Sequence, residues 1–236
     1  MEYLTTLRYI EKYLRPGMRI LEIGAATGRY SHALARRGYQ VDAVELIQHN
    51  IDIFNTLTQT GENVTIRQGN AKDLSFFADN SFDIMLLLGP MYHLFTVEDQ
   101  LQALKEAIRV TKKGGILFVA YCGNDATMVQ YCFGRGMLQE EKYQKLVDMT
   151  TFKASSDPAE LFELYRKEDI DELISHFNVQ RLHYIGTDMA TNYMRPVIDE
   201  MDDEFFALYL KYHFTICERA DMVGTSHHLL DVLRKE

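Results

Sequence analysis

Apolar positions along the chain follow two alternating rhythms. Leu4, Leu7, Ile10 and Leu14 recur at three- and four-residue steps, one face of a helix, and Pro16-Gly17 ends the run. A short apolar run at 19–23 then predicts a strand, closed by Gly24 and a glycine-bearing turn. A helix is expected over 31–37 with Gly38 as its stop, and a second strand over 39–46. The alternation continues with a helix over 48–60, a strand over 64–68 and a turn over 69–73. A continuous apolar strand at 81–88 is closed by Gly89-Pro90. A helix over 97–111, a Lys-Lys-Gly-Gly turn at 112–115 and a buried strand at 116–121 complete the first half.

Strands that are apolar on both faces, alternating with amphipathic helices, imply a mostly parallel sheet covered on both sides. The second half is less regular. Residues 124–154 are rich in Met, Tyr and Gln, with Gly134 and Gly136 interrupting an otherwise helical stretch. A helix is predicted over 158–177, capped by Asp157 or Ser156, then a strand over 179–186, a long helix over 197–216 and a last strand over 226–233. The last two strands should lie antiparallel or at an edge, which brings the sheet to seven strands. Without repeats, low-complexity tracts or linkers, the expected organisation is one α/β domain over 1–236. It comprises an N-terminal helix (1–18), a core (19–121) and helical insertions at 122–160 and 187–218.

Composition narrows the partners. Of 236 residues, 47% are hydrophobic and 25% charged, with 25 Lys and Arg against 34 Asp and Glu, a net charge of −9. That balance argues against nucleic acid and anionic membranes, both of which are held chiefly through Lys and Arg. The apolar stretch at 116–122 is too short to span a bilayer. The first sixteen residues intersperse charges and lack the apolar core of a secretory signal. Cys122, Cys132 and Cys217 make neither an even set nor a C-x-x-C pair, so a reduced, cytoplasmic setting is expected.

In an open parallel sheet, ligands bind beyond the carboxyl ends of the strands. Three such ends carry chemistry. Glu22-Ile23-Gly24-Ala25-Ala26-Thr27-Gly28 joins a strand to a helix, where glycines permit close backbone approach and the helix start offers free N–H groups. Ala26 and Arg29 break the G-x-G-x-x-G dinucleotide fingerprint. Glu45 ends the next strand, where a carboxylate suits the cis-diol of a ribose. Asn70, after the third strand, carries an amide that can read an adenine edge.

Together these elements resemble the class I S-adenosylmethionine-dependent methyltransferases over residues 19–121, with Ala26 replacing a glycine and Asn70 replacing the usual Asp. The resemblance implies a Rossmann-like fold and a lid built from the insertions. It also implies that Glu22, Gly24, Ala25 and Gly28 surround the methionyl part of S-adenosylmethionine. Glu45 would hold its ribose, Leu46 would stack on adenine, Asn70 and Ala71 would bind the adenine edge, and the Leu88 carbonyl would meet the ammonium group. Leu88-Gly89-Pro90-Met91-Tyr92-His93-Leu94 resembles the G-P-x-Y-H-L loop of bacterial small-molecule methyltransferases. There His93 could take a proton from the acceptor or simply pack under the lid, and Tyr92 would line the sulfonium or acceptor pocket. Tyr131, Asn192, Tyr193 and Arg195 are candidate acceptor contacts, with Arg195 either clasping a carboxylate or pairing with Asp199. His213, His227 and His228 lack metal-ligand spacing, and no metal is expected.

The expected activity is methyl transfer to an O or N nucleophile of a small molecule, with S-adenosylhomocysteine as product. RNA or protein methylation and a non-catalytic S-adenosylmethionine-binding role are the alternatives. The oligomeric state is open, a homodimer being one option.

Overall fold

Every apolar run of the first half forms its strand in the computed structural model, which describes residues 1–159 and 162–236. In chain order the elements are α1 (Glu2–Tyr13), β1 (Arg19–Ile23), α2 (Arg29–Ala35), β2 (Gln40–Glu45), α3 (Gln48–Leu57), β3 (Val64–Gln68), β4 (Phe82–Leu87), α4 (Val97–Val110) and β5 (Thr111–Gly123). The second half adds α5 (Asn124–Thr127), α6 (Glu141–Gln144), β6 (Leu164–Tyr165), α7 (Lys167–Ser175), β7 (Val179–Gly186), α8 (Arg195–Ile198), α9 (Asp203–Ile216) and β8 (His228–Lys235).

The sheet runs β3-β2-β1-β4-β5-β8-β7, with the two-residue β6 pairing to the end of β5. The first five strands are parallel, and β8 lies antiparallel between β5 and β7. Ile23 of β1 faces Val44 on one side and Leu87 on the other, so the chain winds outward in both directions from β1. A crevice opens at the strand ends where the winding reverses. One apolar cluster joins the sheet to α4 and α7 through Leu104, Ala107, Ile170 and Leu173. A second joins its other face to α1, α2 and α9 through Leu7, Ile10, Leu34 and Ile216.

Two expectations change, at the helices predicted over 158–177 and 197–216. The helix predicted over 158–177, part of which falls on residues outside those described, begins only at Lys167. The Arg166 N–H donates to the Asp169 carboxylate (2.8 Å), which starts α7, while Leu164 and Tyr165 are drawn out to pair with Cys122 and Gly123. This adds an eighth strand. The long helix at 197–216 is two: Asp202 accepts from the Phe205 N–H (2.8 Å) and caps a new helix, a signal hidden in a run of acids. Residues 124–139 wind through α5, a π-helical turn (Met128–Phe133) and a 3-10 turn (Met137–Gln139), a broken course consistent with Gly134 and Gly136.

Candidate functional site

A cavity of about 750 Å³ occupies the crevice. It collects Glu22, Gly24, Ala25, Glu45, Leu46, Asn70, Ala71, Leu88, Tyr92 and His93, all named from the sequence, and adds Glu2 and Thr6 of α1 as cover. The turn after β1 is held by backbone torsion. Gly24 and Gly28 adopt φ of +74° and +89°, and Ala26, at φ +46°, takes the left-handed region at a cost of about 1 kcal/mol. The glycines serve packing more than ligand approach. A Cβ on Gly24 would stand 2.7 Å from the Pro90 ring, and one on Gly28 would stand 2.5 Å from Phe54. Gly28 lies behind the cavity wall rather than on it.

Glu45 is buried at the end of β2, its carboxylate accepting from the Ala26 N–H (2.8 Å) and the Ile47 N–H (2.9 Å). It therefore ties the glycine turn to the β2 end while facing the cavity. Glu22 is buried too. One of its oxygens accepts from the Ser31 N–H (2.9 Å) and from the Ser31 hydroxyl. It thus caps α2 in place of Gly28, which has no side chain to do so. Burial pushes its pKa up to about 7, against the pull of the Ser31 hydrogen bonds. The Asn70 side chain accepts from the Lys72 N–H (3.0 Å), and Lys72 pairs with Asp99 (2.9 Å) at the rim. The Leu88 carbonyl accepts from the Tyr92 hydroxyl (2.9 Å), which uses one of its two lone pairs.

A second cavity, of about 560 Å³, shares His93, Phe95, Pro158 and His228 with the first. Its walls are mainly apolar and aromatic: Tyr131, Met137, Tyr143, Leu146, Val147 and Phe162. Tyr131 comes from the π-helical turn, a geometry that recurs at functional sites. Asn192 also lines it, with its side-chain amide donating to Asp188 (2.7 Å). Besides Gly28, two of the acceptor candidates lie outside both cavities. The Tyr193 hydroxyl donates to the Thr225 carbonyl (3.0 Å) and its ring props His227 (5.2 Å between centroids). Arg195 is exposed and pairs with Asp199 (2.9 Å), one helical turn on, so it does not clasp an acceptor here. His93 stands between the cavities with its ring against Tyr92 and Phe162, and burial lowers its pKa.

The sequence pattern does not single out Asp188 and His228. Asp188, buried after β7, accepts from the Ser226 hydroxyl (2.5 Å), the His227 N–H (2.9 Å) and His228 Nδ1 (2.7 Å). The available signal is topological. A strand antiparallel to β5 begins where β5 ends, and the Cys122–His228 pairing brings His228 to the ligand end of the sheet.

Residues 21–119 match the model of the family described as Methyltransferase domain. A demethylmenaquinone methyltransferase from Staphylococcus aureus is 33% identical over 107 residues, covering 44% of this chain and 43% of that protein. A ubiquinone biosynthesis O-methyltransferase from Hahella chejuensis is 22% identical over 82% of this chain and 81% of its own length. Against the first of these the chain spans less than half the relative's length. An S-adenosylmethionine-dependent methyltransferase structure from Methanosarcina mazei superposes with a TM-score of 0.65 at 18% identity, covering 96% of both chains. The winding order, the glycine turn with its two flanking acids and the matched segment converge: residues 21–119 match the Methyltransferase domain family, and the chain has the fold of the class I S-adenosylmethionine-dependent methyltransferases.

Proposed function

We propose that this chain transfers a methyl group from S-adenosylmethionine to an O or N nucleophile of a small, largely apolar molecule. The observation that carries the reading is the pairing of the two cavities, one rimmed by acids and an amide, the other mainly apolar, with four residues in common. The donor set fits the cofactor. The Glu45 carboxylate suits a cis-diol, Leu46 and Ile47 present exposed apolar surface beside it, and the Asn70 amide offers a donor and an acceptor. The Leu88 carbonyl keeps a lone pair for an ammonium, and Glu22 can supply a counter-charge. When bound, S-adenosylmethionine supplies an electrophilic methyl group on a sulfonium.

The chain's own work is alignment and exclusion of water. His93, Phe95 and Pro158 form the boundary across which an acceptor atom would face the methyl group. Apolar walls and relatives named for menaquinone and ubiquinone chemistry support an aromatic, quinone-like acceptor rather than RNA or protein.

Calorimetric titration with S-adenosylhomocysteine tests the donor half. Wild type should bind, and Glu45→Ala should bind at least tenfold more weakly, because hydrogen bonds to a charged carboxylate are worth about 1.5–3 kcal/mol each. Absence of wild-type binding would overturn the reading.

A further inference from the structure

Ionisable groups at the boundary between the cavities decide how a hydroxyl acceptor could lose its proton. His228 borders both cavities, and its ring is 43% exposed there while Asp188 is 4% exposed. Nδ1 is fixed on the Asp188 carboxylate at 2.7 Å. That carboxylate is further held by the Ser226 hydroxyl, the His227 and His228 backbone N–H groups and the Asn192 amide. With five donors converging on it, Asp188 is an acceptor only, so in the neutral imidazole Nδ1 carries the hydrogen and Nε2 carries the lone pair. Nε2 makes no hydrogen bond among the described residues.

We propose that His228 is the proton acceptor for an acceptor hydroxyl, that Asp188 positions it, and that the second cavity takes a planar, largely apolar phenol or enol. The inference rests on the methyltransferase reading and deepens it. The hydroxyl proton passes to Nε2 of His228. The oxygen pair so released bonds to the methyl carbon, and the pair of the broken carbon–sulfur bond stays on sulfur. Tyr131, Leu146 and Phe162 line the walls that would take the ring, and an acidic hydroxyl suits an imidazole base. The groups that face His228 are Asp188 after β7, Glu2 and the Met1 amino group at the start of α1, Cys122 on β5 and its neighbour His227. Burial pushes the Cys122 thiol up to about 12 and lowers His227, so both are neutral at pH 7, and Asp188 outweighs the desolvation of His228 to raise its pKa.

The test loads the protein with S-adenosylhomocysteine and adds 4-nitrophenol, whose anion alone is yellow, at a pH below the probe's own ionisation. Wild type should give a saturable anion band. His228→Gln should retain calorimetric binding of the probe while losing the band at least tenfold. In an NMR titration Asp188→Asn should lower the His228 midpoint from above the ordinary value of 6.5 to below it, a change that a purely structural role would not produce. An undiminished band in His228→Gln, or loss of the band in His93→Gln alone, would overturn the assignment. So would lack of probe binding by protein that binds S-adenosylhomocysteine. Failure to bind S-adenosylhomocysteine would instead remove the methyltransferase reading itself.

Discussion

Glu22 shows how much one side chain can combine. It caps α2, lines the first cavity and is buried with its pKa pushed up to about 7. Because that value lies above the 4.5 of a free carboxyl, the proton is held more tightly in the folded chain. The stability associated with it is fully present below the ordinary value and is lost as pH rises through about 7. Glu22→Gln keeps an acceptor for Ser31 without the charge. The variant should match wild type near pH 4 and exceed it by about 1–3 kcal/mol at pH 8 in thermal unfolding. Parallel pH dependence in the two proteins would refute this. The residues of the glycine turn were legible in the sequence because their constraints are local: a strand end, a left-handed turn, a helix start. Asp188 and His228 were not legible. They are forty residues apart, and what joins them is the antiparallel placement of β8 beside β7.

At the scale of elements, the parallel half was readable because each strand is apolar on both faces and each connection carries its own stop. The errors fell where a polar cap competes with a helical pattern, as at Asp169 and Asp202, and where two residues pair at a sheet end, as at Leu164. The join between β1 and α2 gives the sharpest test. Gly28→Ala must accept φ +89° and a Cβ 2.5 Å from Phe54 and 2.7 Å from His32. Denaturant unfolding should show a loss of about 2–4 kcal/mol, as strain and overpacking add. A loss below about 0.5 kcal/mol would mean the turn relaxes freely.

Across the whole molecule, α1, whose Glu2 and Thr6 line the first cavity, ties that cavity to α9 and the segment after it. The Thr5 hydroxyl hydrogen-bonds His213 of α9 (2.8 Å), Tyr9 donates to Glu218, and Tyr30 donates to Glu2 (2.7 Å). Burial lowers the His213 pKa to about 4, so this contact stays uncharged at physiological pH. Thr5→Val removes the hydroxyl but keeps the shape, leaving a buried imidazole nitrogen unpaired at a cost of about 1–3 kcal/mol. If α1 must lift for the cofactor product to leave, S-adenosylhomocysteine should dissociate several-fold faster from this variant in stopped-flow measurements. An unchanged rate would place the exit elsewhere.

The position of β8 has a consequence for how the protein is made. A ribosome releases the glycine turn, Glu45 and Asn70 long before residues 228–235, yet those eight residues must thread between β5 and β7, pairing with both. Until they do, β5 and β7 each expose an unpaired edge, Arg181 lacks its buried partner Asp231, and the boundary between the two cavities has no imidazole from β8. The turn after β1, Glu45 and Asn70 can therefore come together before β8 supplies His228 to the boundary between the two cavities.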